Sequence, residues 1–121
     1  AGKPLKPVFL HGSFLCTGVP TWNNPRLVVN DAQASDLSKT LGGHRVAQMR
    51  GHGTVVAGGS AEEAFFACTF LEENAQIMLQ ADVAGGAIPL SDDEARDCAE
   101  GTYNPRLFDL LWKFYERKVA L

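Results

Sequence analysis

Apolar residues recur at two different spacings along the chain, and each change of spacing marks a new structural element. Residues 31–41 place apolar side chains three and four positions apart, which is the period of a helix, and a glycine pair then ends the run. Residues 45–49 and 54–57 are two short β-prone runs that flank the sequence Gly51-His52-Gly53. The pattern therefore predicts a helix, a strand, a glycine-bounded turn and a second strand.

The longest apolar segment follows the second strand and opens on a helix start signal. Ser60 and Glu63 have the spacing of a capping box, in which each side chain accepts a hydrogen bond from the other residue's backbone N–H. We expect the helix to continue to about Asp82. Apolar side chains cover much of its circumference, so the helix is predicted to pack against a sheet or against another subunit.

Weaker signals complete the outline. Residues 19–22 fit a short strand before a loop. Ser91 and Glu94 repeat the capping-box spacing, and Asn104 stands before a proline at the start of an amphipathic last helix. Since no repeat, low-complexity tract or evident linker interrupts the chain, residues 1–121 are predicted to form one domain, or part of one.

Composition excludes several classes of function. The chain has 121 residues, a formal net charge of −3 and 45% hydrophobic residues, which suits one globular domain. Mild acidity argues against nucleic acid as a partner, because nucleic-acid binders usually carry a basic stripe. No apolar run approaches the roughly 20 residues of a membrane span. We therefore expect neither a nucleic-acid nor a membrane partner.

The cysteines give a weak indication of compartment. Cys16, Cys68 and Cys98 are an odd and widely spaced set without a Cys-x-x-Cys pair, so a structural zinc site of that kind is not expected. Cys68 lies among phenylalanines and is predicted to be a buried free thiol. This usage favours a reducing compartment and a cytoplasmic location.

The candidate chemistry centres on His52. Glycines on both sides remove side-chain crowding and allow backbone angles that other residues resist, so one imidazole can project from a sheet end toward a metal or a substrate. The alternative interpretation is a tight turn that contains a surface histidine, since glycine pairs mark turns far more often than metal sites.

The order of these features resembles the C-terminal half of the class II aldolase/adducin family. The resemblance rests on Arg50-Gly51-His52-Gly53 between two strands and on the capped helix that follows, with its Leu-Glu-Glu-Asn-Ala segment. It extends from about Pro4 to the C-terminus and includes the segment 7–14. It implies an α/β fold, a three-layer α/β/α architecture with a central, largely antiparallel sheet, of which this chain supplies part. It also implies that the protein is a homo-oligomer made of four subunits.

The resemblance implies a metal site that this chain completes only in part. Family enzymes hold a divalent cation through three histidines, of which two form a His-x-His segment in the first half and the third is the histidine of the Gly-His-Gly turn. That turn histidine is His52, and zinc is the metal expected, with manganese or iron as alternatives. His11 and His44 form no His-x-His segment. We therefore expect a partial domain that does not assemble a full active site alone.

Three further residues are candidates for substrate binding. By resemblance, His11 and Ser13 line the pocket, although a tyrosine commonly follows the matching histidine and Gly12 stands here instead. The form of the turn in which Arg50 precedes Gly-His-Gly resembles the branch of the family that decarboxylates aromatic or heterocyclic acids. An arginine there would suit a carboxylate substrate through a two-point contact. A core histidine and a surface arginine are the alternatives.

The resemblance implies a metal-dependent carbon–carbon lyase that acts on a small carboxylate or carbonyl substrate. The cation would stabilise the enolate-like charge left by aldol cleavage or by decarboxylation. Arg50 and Gly12 favour decarboxylation. The family's usual acidic base lies in the missing half, and no catalytic residue can be assigned. A non-catalytic, adducin-like interaction module is the alternative function.

Overall fold

Residues 2–120 are described by the computed structural model, and eight elements follow one another within them. These are a 3₁₀ helix Leu10–Thr17, β1 Thr21–Trp22, α1 Asp31–Leu41, β2 Val46–Met49, β3 Gly53–Val56, α2 Ala61–Val83, α3 Asp92–Thr102 and α4 Pro105–Val119. The apolar segment at residues 7–15 is thus mainly a 3₁₀ helix. The predicted first helix and long helix are confirmed to within a residue or two.

The three strands form one small mixed sheet with β2 in its centre. β1 pairs with β2 in parallel, with Thr21 opposite Gln48. β3 pairs with β2 antiparallel, from Val46 opposite Val56 to Met49 opposite Gly53. The parallel pair needs a crossover, which α1 supplies. The α/β class is confirmed, and one of the two strand pairings in this part of the sheet is antiparallel.

Capping side chains start the helices where the sequence predicts. The Ser60 hydroxyl accepts from the Glu63 N–H at 3.0 Å, and Ser91 and Glu94 form a complete capping box at α3. The box at α2 differs from the prediction in one respect. The Glu63 carboxylate accepts from the Gly59 N–H at 2.8 Å, one residue before the expected donor.

The core lies where the 3₁₀ helix, β2 and α2 meet. Its buried apolar residues are Phe14, Leu15, Val46, Ala67 and Leu71. A second contact, between α2 and α4, is aromatic: the Phe66 and Phe108 ring centroids lie 5.0 Å apart. The 3₁₀ helix and α4 thus cover much of the apolar surface of α2 within this chain. Among residues 2–120, no helix has the combined length and hydropathy needed to cross a bilayer.

The prediction of a buried Cys68 is wrong, because the buried stripe of α2 runs one residue to the side. The stripe consists of Ala67, Leu71, Asn74 and Met78, at helical spacings of three and four. Cys68 follows Ala67 by one position, about 100° around the helix, and is exposed. Its thiol therefore faces outward.

One polar residue of that stripe holds the start of the chain against α2. Asn74 is fully buried. Its side-chain oxygen accepts from the Val8 N–H at 2.9 Å, and its amide nitrogen donates to the Lys6 carbonyl at 2.8 Å. A Cβ atom at Gly12 would lie 2.2 Å from the Asn74 Oδ1. Glycine is therefore required where the 3₁₀ helix crosses α2.

Candidate active site

The turn between β2 and β3 presents His52 at its tip. Gly51 and Gly53 have φ values of 77° and 137°, which side chains rarely tolerate. The His52 N–H donates to the Met49 carbonyl at 2.9 Å and closes the turn. His52 itself is exposed. The two glycines therefore do what the sequence indicates, which is to project one imidazole from the end of the sheet.

A hydrogen bond to the β1–α1 loop fixes the orientation of this imidazole. The His52 Nε2 lies 2.9 Å from the Pro25 carbonyl oxygen, and a carbonyl can only accept, so Nε2 carries the proton. The loop is anchored in turn, because the Arg50 N–H donates to the Trp22 carbonyl at 3.0 Å. The Trp22 indole donates to Asp36 of α1 at 2.8 Å. Crossover helix, loop and turn are thus one connected unit.

A cleft of about 830 Å³ opens beside the turn. Its polar lining side chains are Lys3, Thr21, Gln48, Arg50 and His52, and Val19 and Met49 add apolar wall. None of the described residues that line it is Asp or Glu. With the Arg50 guanidinium at the turn and no carboxylate among its described lining residues, this cleft is suited to an anionic ligand.

His11 and Ser13 lie away from that cleft. The His11 ring stacks on Phe70, with centroids 4.7 Å apart, beside a separate groove against α4. Ser13 is fully buried, and its hydroxyl lies 3.2 Å from that of Thr102. The structure therefore brings Arg50 and His52 together and places the other two candidates elsewhere. The substrate-binding roles of all three residues, His11, Ser13 and Arg50, stay predictions.

The described residues of this chain supply one candidate ligand for a divalent cation in the cleft. Within residues 2–120, no three His, Cys, Asp or Glu side chains converge on a common point. His52 is the one described cleft-lining residue of those four types. A catalytic zinc site uses three protein ligands and an open position. A complete site at His52 therefore needs donors from outside these residues.

His44 is not among the residues that line the cleft. The side chain is half-buried at the start of β2. Its Nδ1 is buried without a hydrogen-bond partner among the described residues, and it lies next to Gly18 rather than in the cleft.

Arg45, Glu63 and Tyr103 form a network near the base of the hairpin that no sequence pattern predicts. The Tyr103 hydroxyl donates to the Glu63 carboxylate at 2.9 Å, and the Arg45 guanidinium lies 4.1 Å from the centre of the tyrosine ring. Burial, and then the bond to Glu63, raise the pKa of Tyr103 above its ordinary value of 10.0. The network joins the residue before β2 and the first turn of α2 to the end of α3. The three residues are far apart in sequence, and no local pattern links them.

Comparison with known proteins decides the family. The sequence model described as the class II aldolase and adducin N-terminal domain matches residues 2–79, well over half of the chain. This chain belongs to that family.

Two curated relatives are similar in sequence. Both are described as 3,4-dihydroxyphthalate decarboxylase. The one from Terrabacter sp. (strain DBF63) is 33% identical over 72% of this chain and 38% of its own length. The one from Arthrobacter keyseri is 33% identical over 83% of this chain and 42% of its own length. The chain therefore spans about two-fifths of these relatives.

Solved structures of the family share the fold. The L-fuculose 1-phosphate aldolase from Glaciozyma antarctica PI12 superposes with a TM-score of 0.70 at 19% identity, over 88% of this chain and 40% of the other. An aldolase II superfamily protein from Pseudomonas syringae gives a TM-score of 0.76 at 21% identity, over 94% and 47% of the two chains. At such identities the likeness establishes the α/β fold alone.

Proposed function

We propose that the protein containing this chain is a metal-dependent carbon–carbon lyase that decarboxylates a small aromatic carboxylic acid. The observation that carries the proposal is the position of Arg50 beside His52, in a cleft whose described lining residues include no carboxylate. The two curated relatives described as decarboxylases support the same reaction class.

Arg50 has the chemistry to bind and orient the substrate. A guanidinium offers parallel N–H donors that match the two oxygens of a carboxylate, and it remains charged at every physiological pH. The arginine is exposed at the cleft. Its neighbour Gly51 leaves the approach to His52 free of a side chain.

His52 is the residue of this chain that would hold the metal. Family enzymes generally depend on a divalent cation, and zinc is our first expectation, with manganese or iron as alternatives. A bound cation supplies stabilisation of the negative charge that develops as the carbon–carbon bond breaks. The remaining ligands would come from residues outside this chain.

The reaction balances without an oxidant or a reductant. The bond between the ring carbon and the carboxyl carbon breaks, carbon dioxide leaves, and the electron pair stays on the ring carbon. A proton then replaces the lost group. Its donor is not assigned to any residue of this chain.

The test is an assay of the source protein for two reactions. Carbon dioxide release from 3,4-dihydroxyphthalate measures decarboxylation, and aldehyde release from a sugar 1-phosphate measures aldol cleavage. We expect carbon dioxide release, which chelation should abolish and added divalent metal should restore. Arg50→Gln should raise KM at least tenfold, whereas Arg106→Gln, an exposed change on α4, should leave it unchanged.

Three results would count against the proposal. Aldol cleavage without decarboxylation would show that the protein is an aldolase and not a decarboxylase. Carbon dioxide release that continues after chelation would show that the reaction does not depend on a metal. Absence of both reactions and of bound metal would favour the adducin-like interaction module.

A further inference from the structure

We propose that this chain binds a second copy of itself through two different helices, with the outer face of α4 on one copy packed against the outer face of α2 on the other. Arg117 of one copy pairs with Glu72 of the other. Neither helix face lines the His52 cleft, so the contact is independent of the proposed reaction.

The outer face of α4 is an apolar stripe with positive charge toward its C-terminal end. Leu110 and Phe114 are 61% and 52% exposed, and both line one groove together with Arg117. The Lys118 ammonium lies 4.7 Å from the centre of the Phe114 ring and adds a second cation. Within residues 2–120, Arg117 forms no ion pair. The described part of the chain therefore supplies no anionic partner for this stripe.

The outer face of α2 combines apolar and acidic surface. Its stripe advances by four, three and four residues and consists of Glu72, Gln76, Leu79 and Val83. Leu79 and Val83 are 69% and 88% exposed. The Gln76 amide donates to the Glu72 carboxylate at 3.0 Å, which holds the charge on this face. Among residues 2–120, Glu72 has no cationic partner.

The charges favour contact between unlike stripes. Two α4 stripes would bring Arg117 and Lys118 close to the same cations of another copy, and two α2 stripes would set their Glu72 carboxylates against each other. Like charges in such a contact repel. A contact of α4 with α2 joins opposite charges and covers exposed apolar surface on both helices. Because a second copy of this chain carries both stripes, it is the partner of matching chemistry.

The two stripes also match in length when the helices run antiparallel. Arg117 follows Leu110 by seven residues, and Leu79 follows Glu72 by seven residues. At a rise of 1.5 Å per residue, both separations are about 10 Å. The apolar residue comes first in α4 and last in α2. Antiparallel helices therefore set Leu110 against Leu79 and Arg117 against Glu72.

The test reverses the two charges in separate variants of the 121-residue chain. Analytical ultracentrifugation at several concentrations gives the mass and the dissociation constant, and cooperative thermal unfolding shows that each variant is folded. We expect Arg117→Glu and Glu72→Arg each to weaken association about tenfold, because each replaces an attraction with a repulsion. An equimolar mixture of the two variants should form a 1:1 complex, since the intact Arg117 of one meets the intact Glu72 of the other.

Matched variants on other helices control for net charge. Lys39→Glu on α1 and Glu100→Arg on α3 change exposed residues outside both stripes. Each should leave the dissociation constant within twofold of that of the unmodified chain. Arg117→Glu and Glu72→Arg combined in one chain should restore association, because the charges are again opposite.

Four results would overturn the proposed contact. The unmodified chain would remain a monomer at every concentration, or Lys39→Glu would weaken association as much as Arg117→Glu. Association that is lost with Arg117→Glu but unaffected by Glu72→Arg would place α4 against a surface other than α2. A mixture of the two variants that stays monomeric would likewise reject the pairing of α4 with α2. Lyase activity of the source protein affects none of these results.

Discussion

The Nε2 of His52 lies 2.9 Å from the carbonyl oxygen of Pro25, a residue 27 positions earlier in the chain. The tip of the hairpin is therefore oriented by a loop that belongs to the crossover between the two parallel strands. A histidine that ligates a metal commonly has one ring N–H held by a carbonyl, which fixes the ring. The bond shows how this fold can hold an exposed imidazole in one orientation.

Because this bond is exposed, His52 should contribute little to stability. We expect His52→Ala to lower the free energy of unfolding by about 1 kcal/mol or less. Urea denaturation of the 121-residue chain measures it, with Asn74→Ala as the contrast. A loss of 3 kcal/mol or more on His52→Ala would identify a structural histidine and weaken its assignment as a ligand.

Gly12 should be far less tolerant of substitution than an open glycine. Gly12→Ala places a methyl group 2.2 Å from Asn74 Oδ1, so either the helices separate or Asn74 loses its two backbone partners. We expect a loss of about 2–4 kcal/mol. Gly101→Ala is the matched control. It lies in α3 with no atom within 4 Å and should stabilise by up to about 1 kcal/mol. Equal effects would show that Asn74 does not clamp the 3₁₀ helix.

The raised pKa of Tyr103 predicts a loss of stability in alkali. Burial and the bond to Glu63 keep the folded phenol protonated above its ordinary value of 10.0, whereas the unfolded phenol ionises near it. The stabilisation is complete below about pH 10 and is lost as the pH rises further, by up to about 1.4 kcal/mol per unit.

Urea midpoints between pH 9 and pH 11 measure this slope. Tyr103→Phe should reduce the slope by the contribution of one titrating proton. Tyr115→Phe, a change on exposed α4, should leave the slope unchanged. An unchanged slope in Tyr103→Phe would assign the alkaline instability to other groups.

Self-association stays a prediction, but the surface that motivates it moves from α2 to α4. The 3₁₀ helix and α4 cover much of α2, whereas Leu110, Phe114 and Val119 of α4 are 61%, 52% and 74% exposed. Apolar surface of this kind is commonly covered by another chain. Light scattering should give a mass above 13.1 kDa, and Phe114→Glu should lower it. The monomer mass at micromolar concentration, with cooperative unfolding, would count against association.

Local signals predicted the elements well. Helix periodicity and capping residues placed α1, α2, α3 and α4, because caps act within three or four residues of themselves. The glycines around His52 predicted a turn, because positive φ is a property of one residue. These are short-range effects, and a single sequence records them directly.

Features that depend on packing were not predictable in the same way. Cys68 and Ala67 differ by one step around α2, and only the position of β2 and the 3₁₀ helix decides which is buried. Asn74 is a polar residue in the buried stripe of α2, and its partners Lys6 and Val8 lie more than 60 residues away in the sequence. The Pro25 bond to His52 likewise joins a loop to a turn without a sequence signal.

We propose that His52 is one ligand of a divalent-metal site that this chain does not complete. Calorimetric metal titration, applied to the 121-residue chain and to the source protein, tests it directly. We predict weak binding to the chain, because one imidazole cannot replace the three protein ligands of a catalytic zinc site. The source protein should bind one equivalent tightly, and His52→Ala should abolish that binding. A stoichiometric, submicromolar site in the chain alone would show that this chain carries its own ligands, and tight binding by the source protein that survives His52→Ala would show that His52 is not a ligand.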